Sequence, residues 1–115
     1  MNRKDLYRRA DKLWGPKAQL AMLMEECMEL ALAIRKFQRN PESTAYANLC
    51  DEFADVRIMM EQIMMTDLKK DSEERVEFKL NRLKDRIENV EKSIWNQQGK
   101  QQEIESLTSG EQSSK

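Results

Sequence analysis

A helix-prone chain turns only where its backbone is made to, and this one offers few such places. Its 115 residues include three glycines and two prolines. Leu, Met, Ala, Glu, Lys and Arg, all strong helix formers, dominate, and β-branched residues are few. The pattern predicts an all-α protein. A first helix is expected over residues 2–13, with Leu6, Ala10 and Leu13 at helical spacing. "WGPK" ends it, since Gly15 suits the position after a helix and Pro16 the first turn of the next. The second helix is expected over 16–38. It stops at "RNPES", where Pro41 pushes Asn40 out of helical geometry. A third helix is expected from Ser43 or Thr44 to about Leu68, and a fourth from Asp71 or Ser72 to about Trp95. The fourth places Val76, Leu80, Leu83, Ile87, Val90 and Ile94 at alternating steps of four and three, a heptad seam. Residues 96–115 are polar and are expected to form a mostly disordered tail after a helical domain over 1–95.

Composition removes several kinds of chemistry. There is no histidine, so histidine-dependent catalytic triads and His-liganded zinc or di-iron sites are excluded. Cys27 and Cys50 lack CxxC spacing and read as reduced core residues. Twenty basic residues against 21 acidic ones leave a net charge of −1, with no overall basic footprint for nucleic acid. No apolar run is long enough to span a bilayer and no secretory leader is visible, so a cytoplasmic protein without a membrane partner is expected.

Within the second helix, residues 19–34 read "QLAMLMEECMELALAI". Twelve of the sixteen are apolar, and the charges are Glu25, Glu26 and Glu29. On a helical wheel Glu25, Glu29 and Glu26 fall at about 0°, 40° and 100°. Leu23, Cys27, Leu30 and Ile34 lie opposite, as a core stripe should, while Met22 and Ala33 share the acidic arc. This helix is expected to be buried nearly all round, with its carboxylates facing protein. Desolvation and mutual repulsion then raise their pKa values until a proton or a cation relieves them.

The third helix offers a matching half. Leu49, Phe53, Val56, Met60 and Ile63 read as its apolar stripe, with Asn48, Glu52, Asp55, Met59 and Gln62 beside it. Two antiparallel helices, each with carboxylates at i and i+3, can gather four of them around one point. All-oxygen ligation suits Mg²⁺, with Mn²⁺ as a substitute.

"EECME", followed after 22 residues by "EFAD", resembles the EExxE…ExxD signature of the MazG-like nucleoside triphosphate pyrophosphohydrolases. "WGPKAQLAMLMEECMELALAIRKF" resembles the opening of that family. "NRLKDR" resembles its N-x-x-K-x-x-R stretch, with the final arginine one place early. The resemblance covers residues 13 to 90 or so. It implies a four-helix-bundle-like, all-α fold, working as a homodimer or homotetramer. It also implies Mg²⁺-dependent cleavage of an NTP or dNTP between the α and β phosphates, giving the monophosphate and pyrophosphate.

Carried over by position, Glu26, Glu29, Glu52 and Asp55 would hold Mg²⁺, and Glu25 would orient or deprotonate the attacking water. Gln19, Asn48, Asn81 and Lys84 are candidate substrate contacts; for each, a capping, bridging or solvated role is the bland alternative. A house-cleaning role against unwanted nucleotides is the expectation. A dUTP, dCTP or phosphoribosyl-ATP pyrophosphatase remains open within the class. The alternative from another class is a non-catalytic helical interaction module with a degenerate metal site.

Overall fold

The computed structural model describes residues 1–113, with side chains through residue 109. It is all-helical: α1 runs Arg3–Arg39, α2 Ser43–Ile63 and α3 Asp67–Ser113, with no strand among the described residues. None of the described helices is long and apolar enough to cross a membrane.

α1 is two helical rods joined at one residue. Gly15 sits at φ 79°, ψ 167°, a region essentially reserved for glycine, and Pro16 starts the second rod. Nothing lies within 4 Å of where a Cβ would stand on Gly15. The requirement for glycine there is therefore conformational, not steric. Asn2 caps the first rod, its Oδ1 accepting from the Lys4 N–H at 2.9 Å. Lys36 and Arg39 in the last turn oppose the helix dipole, and the Asn40 N–H closes the end on the Lys36 carbonyl at 3.0 Å.

The α2–α3 boundary falls earlier than expected. α2 stops at Ile63 instead of Leu68, and α3 begins at Asp67 instead of Asp71 or Ser72. Thr66 supplies the reason: its hydroxyl donates to the Ile63 carbonyl at 2.6 Å and accepts from the Leu68 N–H at 3.3 Å. It ends one helix and opens the next, whereas the sequence pattern places the start of the next at Asp71 or Ser72.

Residues 1–71 form one compact unit and the residues from Ser72 onward another. In the first, the second rod of α1 packs antiparallel to α2. The residues of α1 that lose most solvent there are Gln19, Leu23, Glu26, Leu30, Ala33 and Phe37, at steps of four and three. Those of α2 are Ala45, Leu49, Glu52, Val56, Met59 and Ile63, with the same alternation. Phe37 and Tyr46 close one end, their ring centroids 5.7 Å apart. Near the other end Glu61 gathers the first rod: the Tyr7 hydroxyl donates to it, Arg3 lies 3.2 Å away and Arg57 3.4 Å. Those partners hold the Glu61 carboxyl below its ordinary pKa, the Tyr7 hydrogen bond foremost, and the same bond raises that of Tyr7.

This seam is rotated from the expected one. On α2, Phe53 is 60% exposed and Met60 is also exposed, while Met59 and Glu52 turn inward. On α1, Ala33 is buried, whereas Ile34 and Cys27 are exposed. Cys50 is likewise free and exposed. Nor is α1 buried all round within one chain: Met24, Met28 and Leu32 are more than half exposed. Two helices cover only one stripe each, which leaves the other apolar face of "QLAMLMEECMELALAI" open.

The second unit is helix alone. Its seam residues Val76, Leu80, Leu83, Ile87, Val90 and Ile94 are all exposed. Where a disordered tail was expected after Trp95, α3 continues to Ser113. Gln, Glu and Lys are good helix formers, no proline follows Pro41, and Gly99 and Gly110 each cost only about 1 kcal/mol. Gln101 donates to Glu105 at 3.3 Å and Thr108 to the Ile104 carbonyl at 2.9 Å, both within the helix. Residues 114 and 115 of the expected tail lie outside the described residues.

Because the Gly15 conformation is closed to other residues, Gly15→Ala should destabilise the chain by about 1–3 kcal/mol. Urea unfolding followed by circular dichroism should show a lower midpoint with an unchanged slope. An unchanged midpoint would mean the turn is not under conformational constraint.

Candidate metal centre

Three of the five sequence-predicted acids come together. Glu26 projects from α1, Glu52 and Asp55 from α2, and one oxygen of each lies within 4.8 Å of the other two. Helix geometry explains the set. Glu26 and Glu52 both occupy inward seam positions, where the antiparallel pairing brings them to one level. Asp55 follows Glu52 by three residues and so shares its face, nearer the solvent.

The seam gives Glu26 a poor setting for a negative charge. Its carboxyl is held above the ordinary glutamate pKa, first by desolvation and then by repulsion from Asp55, Glu52, Glu29 and Glu25, in that order. Glu25 and Glu29 stand outside the three-acid cluster and are exposed in the single chain. They act on Glu26 through their charge.

The donor set fits a hard divalent cation. Mg²⁺ holds its ligands at about 2.0–2.1 Å, so neighbouring octahedral ligands stand roughly 3 Å apart and opposite ones roughly 4 Å, closer than the 4.8 Å within which the three oxygens lie. Sharing one ion would require the three side chains to draw together. Three carboxylates leave positions for water and phosphate oxygens, and the chain offers no histidine or paired thiolates to favour a softer metal.

The remaining candidates are dispersed. Asn48 lies on α2 one turn before Glu52 and is exposed. Gln19 is the most buried polar residue described, 4% exposed, two turns before Glu26 on α1. Asn81 and Lys84 lie on α3 in the second unit, where Lys84 pairs with Glu88 at 3.9 Å. Sequence reasoning passed over Tyr7 and Glu61, whose contact needs the turn at Gly15, and no local pattern announces it.

Set against known families, characterised proteins and solved structures, the chain matches no family model, no curated protein and no solved structure.

A carboxyl that prefers its proton in the folded state stabilises the fold below its unfolded pKa and loses that contribution as pH rises through the folded value. The metal-free chain should therefore gain stability from Glu26 as pH falls from neutral toward the Glu26 pKa. Glu26→Gln should raise the metal-free melting temperature at pH 7 and flatten that part of its pH dependence. Thermal melts from pH 5 to 8 check both, and a lower Tm for the variant would show that Glu26 is favourably paired.

Proposed function

We propose that this chain is a Mg²⁺-dependent nucleoside triphosphate pyrophosphohydrolase of the MazG-like kind. It would cleave (d)NTPs between the α and β phosphates to the monophosphate and pyrophosphate. The observation that carries the reading is the convergence of Glu26, Glu52 and Asp55 on a helix seam otherwise lined by Leu, Ala, Val, Met, Ile and Phe, with Gln19 at one end. A structural seam has no use for two facing glutamates, since each costs more than an alanine would. A cation-dependent site does.

In this reading Glu26, Glu52 and Asp55 hold Mg²⁺, or Mn²⁺ in its place, and Glu29, one turn beyond Glu26, completes the set. The bound ion would neutralise the polyphosphate and lower the pKa of a coordinated water. Glu25 precedes the ligand Glu26 and remains exposed, so it is free to take a proton from the attacking water. Water adds across the anhydride, the bridging oxygen leaves with pyrophosphate, and Glu25 carries the proton away. Pyrophosphate release should require Mg²⁺ or Mn²⁺ and fall about 100-fold or more in Asp55→Asn. A panel of NTPs and dNTPs assayed with and without metal tests this. Metal-independent release, or an Asp55→Asn variant as active as the parent, would sink the assignment.

The same reading makes the protein a homodimer or homotetramer, cytoplasmic, and a remover of unwanted nucleotides. The exposed Met24, Met28 and Leu32 of α1 and Phe53 of α2 support self-association, because solvent-exposed apolar surface of that extent favours burial against a second copy. Light scattering at micromolar concentration should give twice or four times the 13.6 kDa chain mass. A monomer would rule this out. The competing reading, a helical interaction module, draws on the exposed heptad seam of α3; it predicts assembly with no metal-dependent hydrolysis.

A further inference from the structure

The second unit is one helix, and its apolar residues fall on a line. Val76, Leu83 and Val90 alternate with Leu80, Ile87 and Ile94 at steps of four and three, and all six are exposed. Lettered as heptads, the first three occupy d and the other three occupy a.

The width of this stripe matters as much as its period. A helix that packs into a globular core carries apolar residues at e or g as well, which makes a face about 100° wide or more. Here the e positions are Glu77, Lys84 and Glu91, and the g positions are Lys79, Arg86 and Ser93. None is apolar. A stripe confined to a and d is the seam of a coiled coil, which one partner helix is enough to cover. On the outer face Phe78 is engaged within the helix, with the Arg75 guanidinium 4.8 Å from its ring centroid.

The charges beside the seam discriminate between the directions a second copy could take. In a parallel, in-register pair each g residue faces the e residue five positions later in the other chain. Arg86 then meets Glu91 of the second copy, twice in the pair, and past the apolar seam Lys100 meets Glu105 in the same way. Lys79 meets Lys84 of the second copy, the one like-charged contact. That contact is softened because Lys84 is paired within its own helix to Glu88 at 3.9 Å.

An antiparallel pair fares worse. Keeping all six apolar residues in contact sets Val76 against Ile94, Leu80 against Val90 and Leu83 against Ile87, and it brings e to e and g to g. Glu77 then meets Glu91 twice, while Lys84 and Arg86 each meet their own copies. Lys79 faces Ser93, so no opposite charges meet. Sliding this pair by one heptad either way sets polar residues, Gln97 and Gln101 or Glu73 and Lys69, against the seam.

We propose that α3 is a homotypic docking surface, on which a second copy of this chain seats its own α3 in parallel and in register. The seam from Val76 to Ile94 lies between them, and Arg86 of each chain pairs with Glu91 of the other. The surface is distinct from the exposed apolar residues of α1 and α2, and it rests on neither the metal nor the nucleotide reading.

Disulfide capture in the full chain tests the direction. In a Cys27→Ser, Cys50→Ser background, one cysteine is placed by Gln97→Cys, at a d position just past the apolar seam. A control places it by Lys92→Cys, at an f position on the far side of the helix. In a glutathione redox buffer Gln97→Cys should give about tenfold more cross-linked dimer than Lys92→Cys. In the antiparallel pair residue 97 lies opposite residue 73, roughly 36 Å along the axis from its own copy. A disulfide needs Cα atoms about 4.4–6.8 Å apart.

Adding Ile87→Lys, a charge in the middle of the seam, should abolish capture at 97. Arg86→Glu should lower it about threefold or more. Combining Arg86→Glu with Glu91→Arg should restore it, a rescue that a misfolded chain would not show. Equal capture at the two positions, capture at neither, capture that survives Ile87→Lys, or a charge exchange that fails to restore it would overturn the proposal. Capture at neither is also the result expected if the seam serves a different helical partner. Pyrophosphate release keeps this idea apart from the enzyme. Capture with no hydrolysis leaves the paired helix standing alone, and hydrolysis without capture overturns the pairing and leaves the enzyme.

Discussion

The meeting of Glu26 with Glu52 across the α1–α2 seam is the constraint on which the first unit depends. Antiparallel helices joined by a short turn have to bury one stripe each, and the stripes that pair here run from Gln19 to Phe37 and from Ala45 to Ile63. Each has one glutamate near its middle, and the α1 stripe also has a glutamine at one end; the remaining members are apolar. Burial and repulsion push the Glu26 carboxyl toward its protonated form. A proton on Glu26 relieves both, so packing and protonation become the same problem in this part of the molecule.

The turn at Gly15 gives the seam its second role. Without a break there, the residues before Pro16 would run on along the axis of the second rod. With it, Tyr7 and Arg3 come to Glu61 near the end of α2. That contact is polar and concentrated on one carboxylate, so few apolar contacts are needed to hold the first rod. The space it encloses against Gln19, Leu20 and Ile63 is a cavity. One backbone conformation at one glycine thus creates a compartment beside a helix pair that would otherwise have only a groove.

Much of this was legible in the sequence, for identifiable reasons. Helix content followed from propensity, and the breaks at Gly15 and Asn40 from residues that tolerate little else. Glu25, Glu26, Glu29, Glu52 and Asp55 stand out in the sequence as acids in apolar surroundings, and three of the five, Glu26, Glu52 and Asp55, converge. The rotation of the seam was not legible. Both helices are apolar over much of their circumference, so several stripes fit a period of 3.6 equally well. The alternation from Gln19 through Leu23, Glu26, Leu30 and Ala33 to Phe37 was present but hidden, because it includes a glutamine and a glutamate. Thr66 was missed since a hydroxyl that serves two helices leaves no spacing signature. The length of α3 is not legible because the polarity after Trp95 points to a tail while the helix propensity of Gln, Glu and Lys points the other way.

Polar and apolar levels alternate along the seam, and their order limits what can lie beside it. The amides of Gln19 and Gln62 form one level and the acids form another, with Leu23, Val56 and Met59 between them. A small anion could use the acid level through a cation but would gain nothing from the amides. Gln19 precedes Glu26 by seven residues and Gln62 follows Asp55 by seven. The equal spacing on both helices makes this order a property of the pair, since a shift of either helix by one residue would take one partner out of each level at once.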